Sequence, residues 1–163
     1  MILPQTSQYA LRIMTHIALN RGAAAVRAKD VAEAINCSSA YVSKVMRKLV
    51  VAGLLRAEKG HGGGFVLARS PDKILFSQVL GAIEPKATHP QCIFGWRRCD
   101  ASNPCVLHHR WNTVSSQFQE WARSTSLADI QRESDASQWL TENDPEAKEK
   151  RAQRREHPRT PRD

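Results

Sequence analysis

Residues 36–53 read Asn36-Cys37-Ser38-Ser39-Ala40-Tyr41-Val42-Ser43-Lys44-Val45-Met46-Arg47-Lys48-Leu49-Val50-Val51-Ala52-Gly53. Asn36-Cys37-Ser38 carries turn chemistry, Ser38 or Ser39 offers a hydroxyl that can cap a helix, and Gly53 suits the left-handed residue that ends one. Between these signals Val42, Val45, Met46 and Leu49 recur at helical spacing, which predicts an apolar inward stripe on a helix over 40–51. Tyr41, Ser43, Lys44, Arg47 and Lys48 fall outside that stripe and are expected to face outward. A shorter helix over about 28–35 precedes the turn, so the unit is two helices joined by a tight turn.

Working outward, Tyr9, Ile13, His16, Ile17 and Asn20 with Ala10, Leu11 and Met14 predict an amphipathic helix opened by Thr6 or Ser7 and closed near Gly22. After Gly53 the periodicity changes to short extended pieces, 54–57 and 65–68, separated by Lys59-Gly60-His61-Gly62-Gly63-Gly64. Two strands bracketing glycines make a hairpin, and small residues let its tip approach a sugar-phosphate chain closely. A nucleotide-binding phosphate loop is the competing reading of these glycines, and the missing Walker spacing and its Lys-Ser/Thr argue against it. Ser70-Pro71-Asp72 ends the hairpin, and Phe76 to Ile83 reads as a short helix stopped by Pro85. The fold class expected is mainly α with a small β-hairpin wing: an N-terminal winged helix-turn-helix followed by a long C-terminal helix.

The charge lies where that unit needs it. The 163-residue chain carries a net charge of +8, and residues 1–80 hold eleven Lys and Arg against four Asp and Glu, whereas 81–140 hold six of each. A surplus confined to the helix-turn-helix half points to double-stranded DNA, because neutralising phosphates releases condensed counterions. The outward face of the 40–51 helix would enter the major groove. Ser38, Ser39, Tyr41, Ser43, Lys44, Arg47 and Lys48 are therefore the candidate contacts, with Lys59, His61 and Gly62 on the wing.

Hydrophobic content of 41% and charge of 25% are those of a globular protein. No apolar run approaches the roughly 18 residues of a membrane span, and the N-terminus lacks the pattern of a secretory signal. The expectation is a cytoplasmic protein without a membrane partner. In that reducing compartment cysteines are ligands, redox sensors or core residues sooner than disulfides.

Three of the four cysteines, Cys92, Cys99 and Cys105, fall within fourteen residues, with His108 three positions further on. Thiolates are soft donors that bind iron well, and a helix starting near Cys105 would put Cys105 and His108 on one face. The same donors suit zinc, and bare thiols can act as a switch with no metal, so the chemistry alone leaves all three open. Arg97, Arg98 and Arg110 would offset thiolate charge. Cys37, far from the trio, reads as a small core residue.

Past the cysteines Leu107, Trp111, Val114, Phe118 and Trp121 recur at spacings of four, three, four and three. That is a heptad seam, which a second copy of the chain would bury across a twofold axis, or which would dock on the chain's own winged helix. The tail from Thr141, with Pro145, Pro158, Pro161 and mixed charge, is expected to be disordered. The organisation expected is a DNA-binding domain over 1–84, a cysteine loop over 85–105, a dimerisation helix and return segment over 106–140, and a charged tail over 141–163. No serine–histidine–carboxylate or paired-carboxylate arrangement stands out, so an enzyme is not expected.

Taken together, Tyr9-Ala10-Leu11, Tyr41-Val42-Ser43-Lys44, Gly60-His61-Gly62-Gly63-Gly64-Phe65, the three cysteines and Ser126-Leu127-Ala128-Asp129-Ile130 resemble the winged-helix iron-sulfur regulators typified by IscR and NsrR. The resemblance spans residues 1 to about 135. It implies a homodimeric transcriptional regulator, a repressor, on a roughly palindromic operator. It also implies an iron-sulfur cluster, 2Fe-2S before 4Fe-4S, held by Cys92, Cys99, Cys105 and His108 and sensing nitric oxide, redox state or iron-sulfur status. A zinc-stabilised or thiol-switch regulator is the alternative, and a cluster carrier or enzyme a more distant one. Two departures bear on the transfer: the six residues between Cys92 and Cys99 are one more than the most familiar spacing, and Gln8 stands where NsrR-like proteins have an aspartate.

Overall fold

The computed structural model describes residues 3–20, 25–60, 62–84, 92–94 and 100–132. The charged tail, the return segment beyond 132, His61 and Cys99 lie outside the described residues. The order is α1 (Gln5–Leu19), α2 (Ala28–Ala34), α3 (Ser39–Val51), β1 (Leu55–Glu58), β2 (Gly64–Leu67), α4 (Phe76–Ile83), α5 (His108–Ser124) and α6 (Leu127–Arg132).

The recognition segment folds as its sequence dictates. Ser38 is the N-cap of α3, its Oγ accepting from Tyr41 N at 3.2 Å, and Val42, Val45, Met46 and Leu49 are all buried. Asn36, in the turn between α2 and α3, takes a left-handed φ of 54°, a conformation its short polar side chain tolerates. Cys37 packs half-buried against the core. The helices α1, α3 and α4 close on a single apolar cluster that includes Ile13, Met14, Met46, Leu49, Val79 and Ile83.

One boundary differs from the expectation. Neither Thr6 nor Ser7 caps α1; the helix begins after Pro4, whose carbonyl accepts from Gln8 N at 3.1 Å. Pro4 presets φ for a helix entry, and the two hydroxyls are withdrawn from capping: Ser7 is buried, and Thr6 accepts from Tyr41.

The wing is an antiparallel pair in the register Leu55↔Leu67, Arg56↔Val66, Ala57↔Phe65, Glu58↔Gly64. Its tip needs glycine at position 60, where φ is 101°. Val26, just before α2, extends the sheet on the far side of β2 through Val26 N to Phe65 O at 3.0 Å and Phe65 N to Val26 O at 2.9 Å. Thus the wing is tied to the entrance of the helix-turn-helix.

The C-terminal helices share the same core. Ala122 and Leu127 are buried in the apolar cluster, and the segment between α5 and α6 is stitched to α4 by Phe76 N to Thr125 O at 2.9 Å and Leu127 N to Ile74 O at 3.0 Å. Full burial of Leu127 alone is worth about 1.5–3 kcal/mol. At the start of α6 Ser126 and Asp129 cap each other: Asp129 Oδ2 accepts from Ser126 N at 2.7 Å, and Asp129 N donates to Ser126 Oγ at 3.3 Å. These bonds fix the far end of the long helix on the helix-turn-helix unit.

Candidate nucleic-acid interface and cysteine segment

With one face of α3 sunk in the core, the opposite face presents Ser39, Lys44, Arg47 and Lys48 to solvent, Ser38 is exposed at the cap, and Ser43 is half-buried. Lys59 and Gly62 of the wing tip are exposed. Neighbouring basic residues are partly occupied. Arg27 pairs with Asp30 at 2.9 Å and Arg56 with Glu58 at 3.0 Å, which discounts both as phosphate ligands relative to the lysines of α3. The Arg27 guanidinium holds the Asp30 carboxyl below its usual range. His16, half-buried on α1, is pushed down by burial despite the opposing charge of Asp30, which favours the neutral imidazole at this flank.

Tyr41 departs from the outward placement expected of it. It is half-buried, its hydroxyl donates to Thr6 Oγ1 at 2.9 Å, and its ring stands edge-on to Tyr9 with centroids 5.5 Å apart.

In the cysteine segment Cys92 and Cys105 are half-buried free thiols. Asp100 organises the turn between Cys99 and Cys105, its Oδ1 accepting from Ser102 N at 2.9 Å and Ser102 Oγ at 2.6 Å. Helix α5 starts at His108 and not near Cys105; Cys105 sits in the preceding turn, its carbonyl accepting from His108 N at 3.0 Å. Cys105 and His108 are thus related through a turn and not through a shared stretch of helix. His108 is buried, 8% exposed, with its ring 5.5 Å from that of His109. Among the described residues no three His, Cys, Asp or Glu side chains are gathered closely enough to hold a metal ion.

The heptad seam is divided between two surfaces. Phe118 packs against the core and the Trp121 ring stands edge-on to Phe76, so part of the seam docks on its own winged helix. Leu107, Val114 and Trp121, seven residues apart, remain 38%, 45% and 44% exposed, while Trp111 is half-buried. The face turned fully inward is His108, Ser115 and Ala122, also spaced by seven. Sequence reasoning missed that row because none of its members is a large apolar residue; its signal is that Ser115 and Ala122, small and seven apart, let the helix approach its support closely.

A family model described as Rrf2, iron-dependent transcriptional regulator, matches residues 3–133. The chain belongs to the Rrf2 family. A relative from Aquifex aeolicus, provisionally named an HTH-type transcriptional regulator, is 32% identical over 132 residues, covering 80% of this chain and 91% of that one. The HTH-type transcriptional regulator IscR of Aliivibrio salmonicida is 28% identical over 138 residues, covering 85% and 82%. Among solved structures, the global cysteine regulator CymR of B. subtilis superposes with a TM-score of 0.67 at 23% identity, covering 78% of this chain and 94% of that one. IscR of T. potens gives 0.65 at 24%, covering 80% and 86%. This Rrf2-family chain is thus a transcriptional regulator with a winged-helix DNA-binding fold, and not an enzyme. Among its described residues no helix is long and apolar enough to cross a membrane.

Proposed function

We propose that the protein is a cytoplasmic homodimeric repressor that seats α3 in the major groove of a roughly palindromic operator, and that the segment from Cys92 to His108 sets its operator affinity. The observation that carries this reading is the division of α3, with Val42, Val45, Met46 and Leu49 locked in the core and Lys44, Arg47 and Lys48 exposed on the other side. Such a helix is held by the core on one face and is positively charged and exposed on the other. Ser38, Ser39 and Ser43 offer hydroxyls toward base edges and phosphates, and Lys59 with His61 and Gly62 extends the contact through the wing.

The dimer is supported by the exposed row Leu107, Val114 and Trp121, which a second copy buries isologously. Half-sites about 34–36 Å apart would then respond to small changes in how two α5 helices meet. The C-terminal end of α5 is bonded to α4, whereas its N-terminal end follows directly from the cysteine segment.

The donor chemistry of Cys92, Cys99, Cys105 and His108 fits an iron-sulfur cluster, 2Fe-2S before 4Fe-4S, although the three of these that are described do not by themselves converge. When bound, such a cluster supplies a centre that nitric oxide, oxidants or iron shortage can alter. The chain's part is to order the turn 100–105 and the first turn of α5, and thereby the dimer seam.

Anaerobic purification with iron, sulfide and zinc analysis tests the sensing part. Visible absorption that disappears in Cys92→Ala supports the cluster. Colourless protein with stoichiometric zinc assigns a structural metal instead, and metal-free protein whose DNA affinity follows thiol oxidation assigns a thiol switch.

A further inference from the structure

The core fixes α3 from Val42 onward, yet the residues offered to base edges sit at its first turn, in front of that anchor. Ser38, Ser39 and Ala40 are exposed, so something else must hold them. Tyr41 is the residue of that turn that reaches back into the domain. Its hydroxyl donates to Thr6 Oγ1 at 2.9 Å across 35 positions of sequence, and its ring packs edge-on against Tyr9 at 5.5 Å and 73°. The Tyr9 ring in turn carries the Arg12 guanidinium 5.6 Å from its centroid, a cation–π contact. Thr6, Tyr9 and Arg12 all belong to α1. The result is a platform on the first two turns of α1 on which the start of α3 rests.

We propose that Tyr41 is a positioning residue for DNA recognition: through its hydroxyl bond to Thr6 it fixes the first turn of α3 on α1, and it selects the operator indirectly. The inference rests on the reading of α3 as the groove-entering helix. Geometry favours the indirect role, because a phenol already spent on Thr6 and half-buried against Tyr9 has little left to offer a phosphate. A misplacement of the first turn would disturb base contacts, which depend on distance and angle, far more than the phosphate contacts of long flexible lysines.

The test uses the full chain and two duplexes, one selected by the wild-type protein from a randomised pool and one of unrelated sequence. Tyr41→Phe keeps the ring on Tyr9 and removes the hydroxyl; Thr6→Val keeps the shape and removes the acceptor. Each is expected to weaken the selected duplex about fivefold, the net worth of one such bond, and to leave the unrelated duplex unchanged. The double variant is expected to lose no more than either single, and Thr6→Ser to restore wild-type affinity. Thr6→Val at full affinity, alone or with Tyr41→Phe weakening both duplexes equally, overturns the proposal in favour of a direct contact or none. Multiplicative losses in the double variant overturn it as well. Lys44→Ala with Arg47→Ala, measured alongside, separates the two levels: retained affinity there defeats the reading of α3 itself, whereas lost affinity there with silent Thr6→Val defeats the role of Tyr41 alone.

Discussion

Trp121 stands edge-on to Phe76, ring centroids 5.4 Å apart and planes at 89°, so the last turn of α5 is clamped to the first residue of α4. With the backbone bonds at Thr125 and Leu127, this makes one end of the long helix part of the DNA-binding unit. Phe76→Ala removes a buried ring and is expected to cost about 3–5 kcal/mol, while Trp121→Ala, which removes a partly exposed ring and its edge contact, costs about 1–2 kcal/mol. Urea unfolding followed by far-ultraviolet circular dichroism measures both. A Trp121→Ala variant as stable as the wild type would show that Phe76 is held by its other neighbours and that the pair does not clamp α5.

Val114 lies midway along the exposed row of α5, 45% accessible, so a charge there is harmless to an isolated chain. Val114→Lys is expected to change monomer stability by less than about 0.5 kcal/mol. In a twofold interface the same substitution sets two lysines against each other in an apolar seam, and sedimentation is expected to report a monomer. A variant that sediments as the wild type does removes this row from the proposed interface.

Asp129 accepts from both the hydroxyl and the amide of Ser126 at 2.7 Å, and these bonds, the hydroxyl first, hold its carboxyl below the usual aspartate range; Arg132, 2.9 Å away, adds to the effect. A carboxyl whose folded-state pKa is depressed stabilises the fold above its unfolded pKa, and that contribution fades as pH falls through the folded value. Asp129→Asn should therefore trail the wild type by a constant margin near neutrality, and the margin should close in acid, below the ordinary titration of aspartate. A margin independent of pH down to acid unfolding would mean that the loss does not come from the ionised carboxyl, and no margin at all that the asparagine caps α6 equally well.

The helix-turn-helix was legible because its signals are local. Ser38, the Val42–Leu49 stripe and the glycine-bearing hairpin each act within one turn of helix or one pair of strands. Tyr41 was misread although the same periodicity contains the answer: positions 41, 45 and 49 form one row, so a residue one turn before Val45 lies at the edge of the core face. Its hydroxyl suggested solvent, but the partner, Thr6, is 35 residues away and no local rule connects them. The seam on α5 was legible as apolar and periodic, whereas its division between an intramolecular and an exposed surface depends on α4, which local patterning does not place. For the cysteines, composition gives donor chemistry and spacing, but convergence is a property of the loop's path; with α5 starting at His108, the relation of Cys105 to His108 rests on the turn before the helix and not on helical periodicity.

Two glycines to alanine are expected to act in opposite directions. A Cβ on Gly64 would lie 2.7 Å from the carbonyl oxygen of Val26, and backbone on both sides cannot yield as a flexible side chain would. Gly64→Ala must therefore push β2 off Val26, weakening the two bonds between Val26 and Phe65 and loosening the wing at its root; a loss of about 1–3 kcal/mol follows, with weaker DNA binding if Lys59 makes the contact proposed for it. Gly81, inside α4, has nothing within 4 Å of the position its Cβ would take. There alanine adds helix propensity and reduces the freedom of the unfolded chain, a gain of about 0.5–1 kcal/mol. Urea midpoints of the two variants on either side of the wild type would bear this out. A neutral Gly64→Ala would mean that the bridge to Val26 does not anchor the wing, and would leave Lys59 to be positioned by β1 alone.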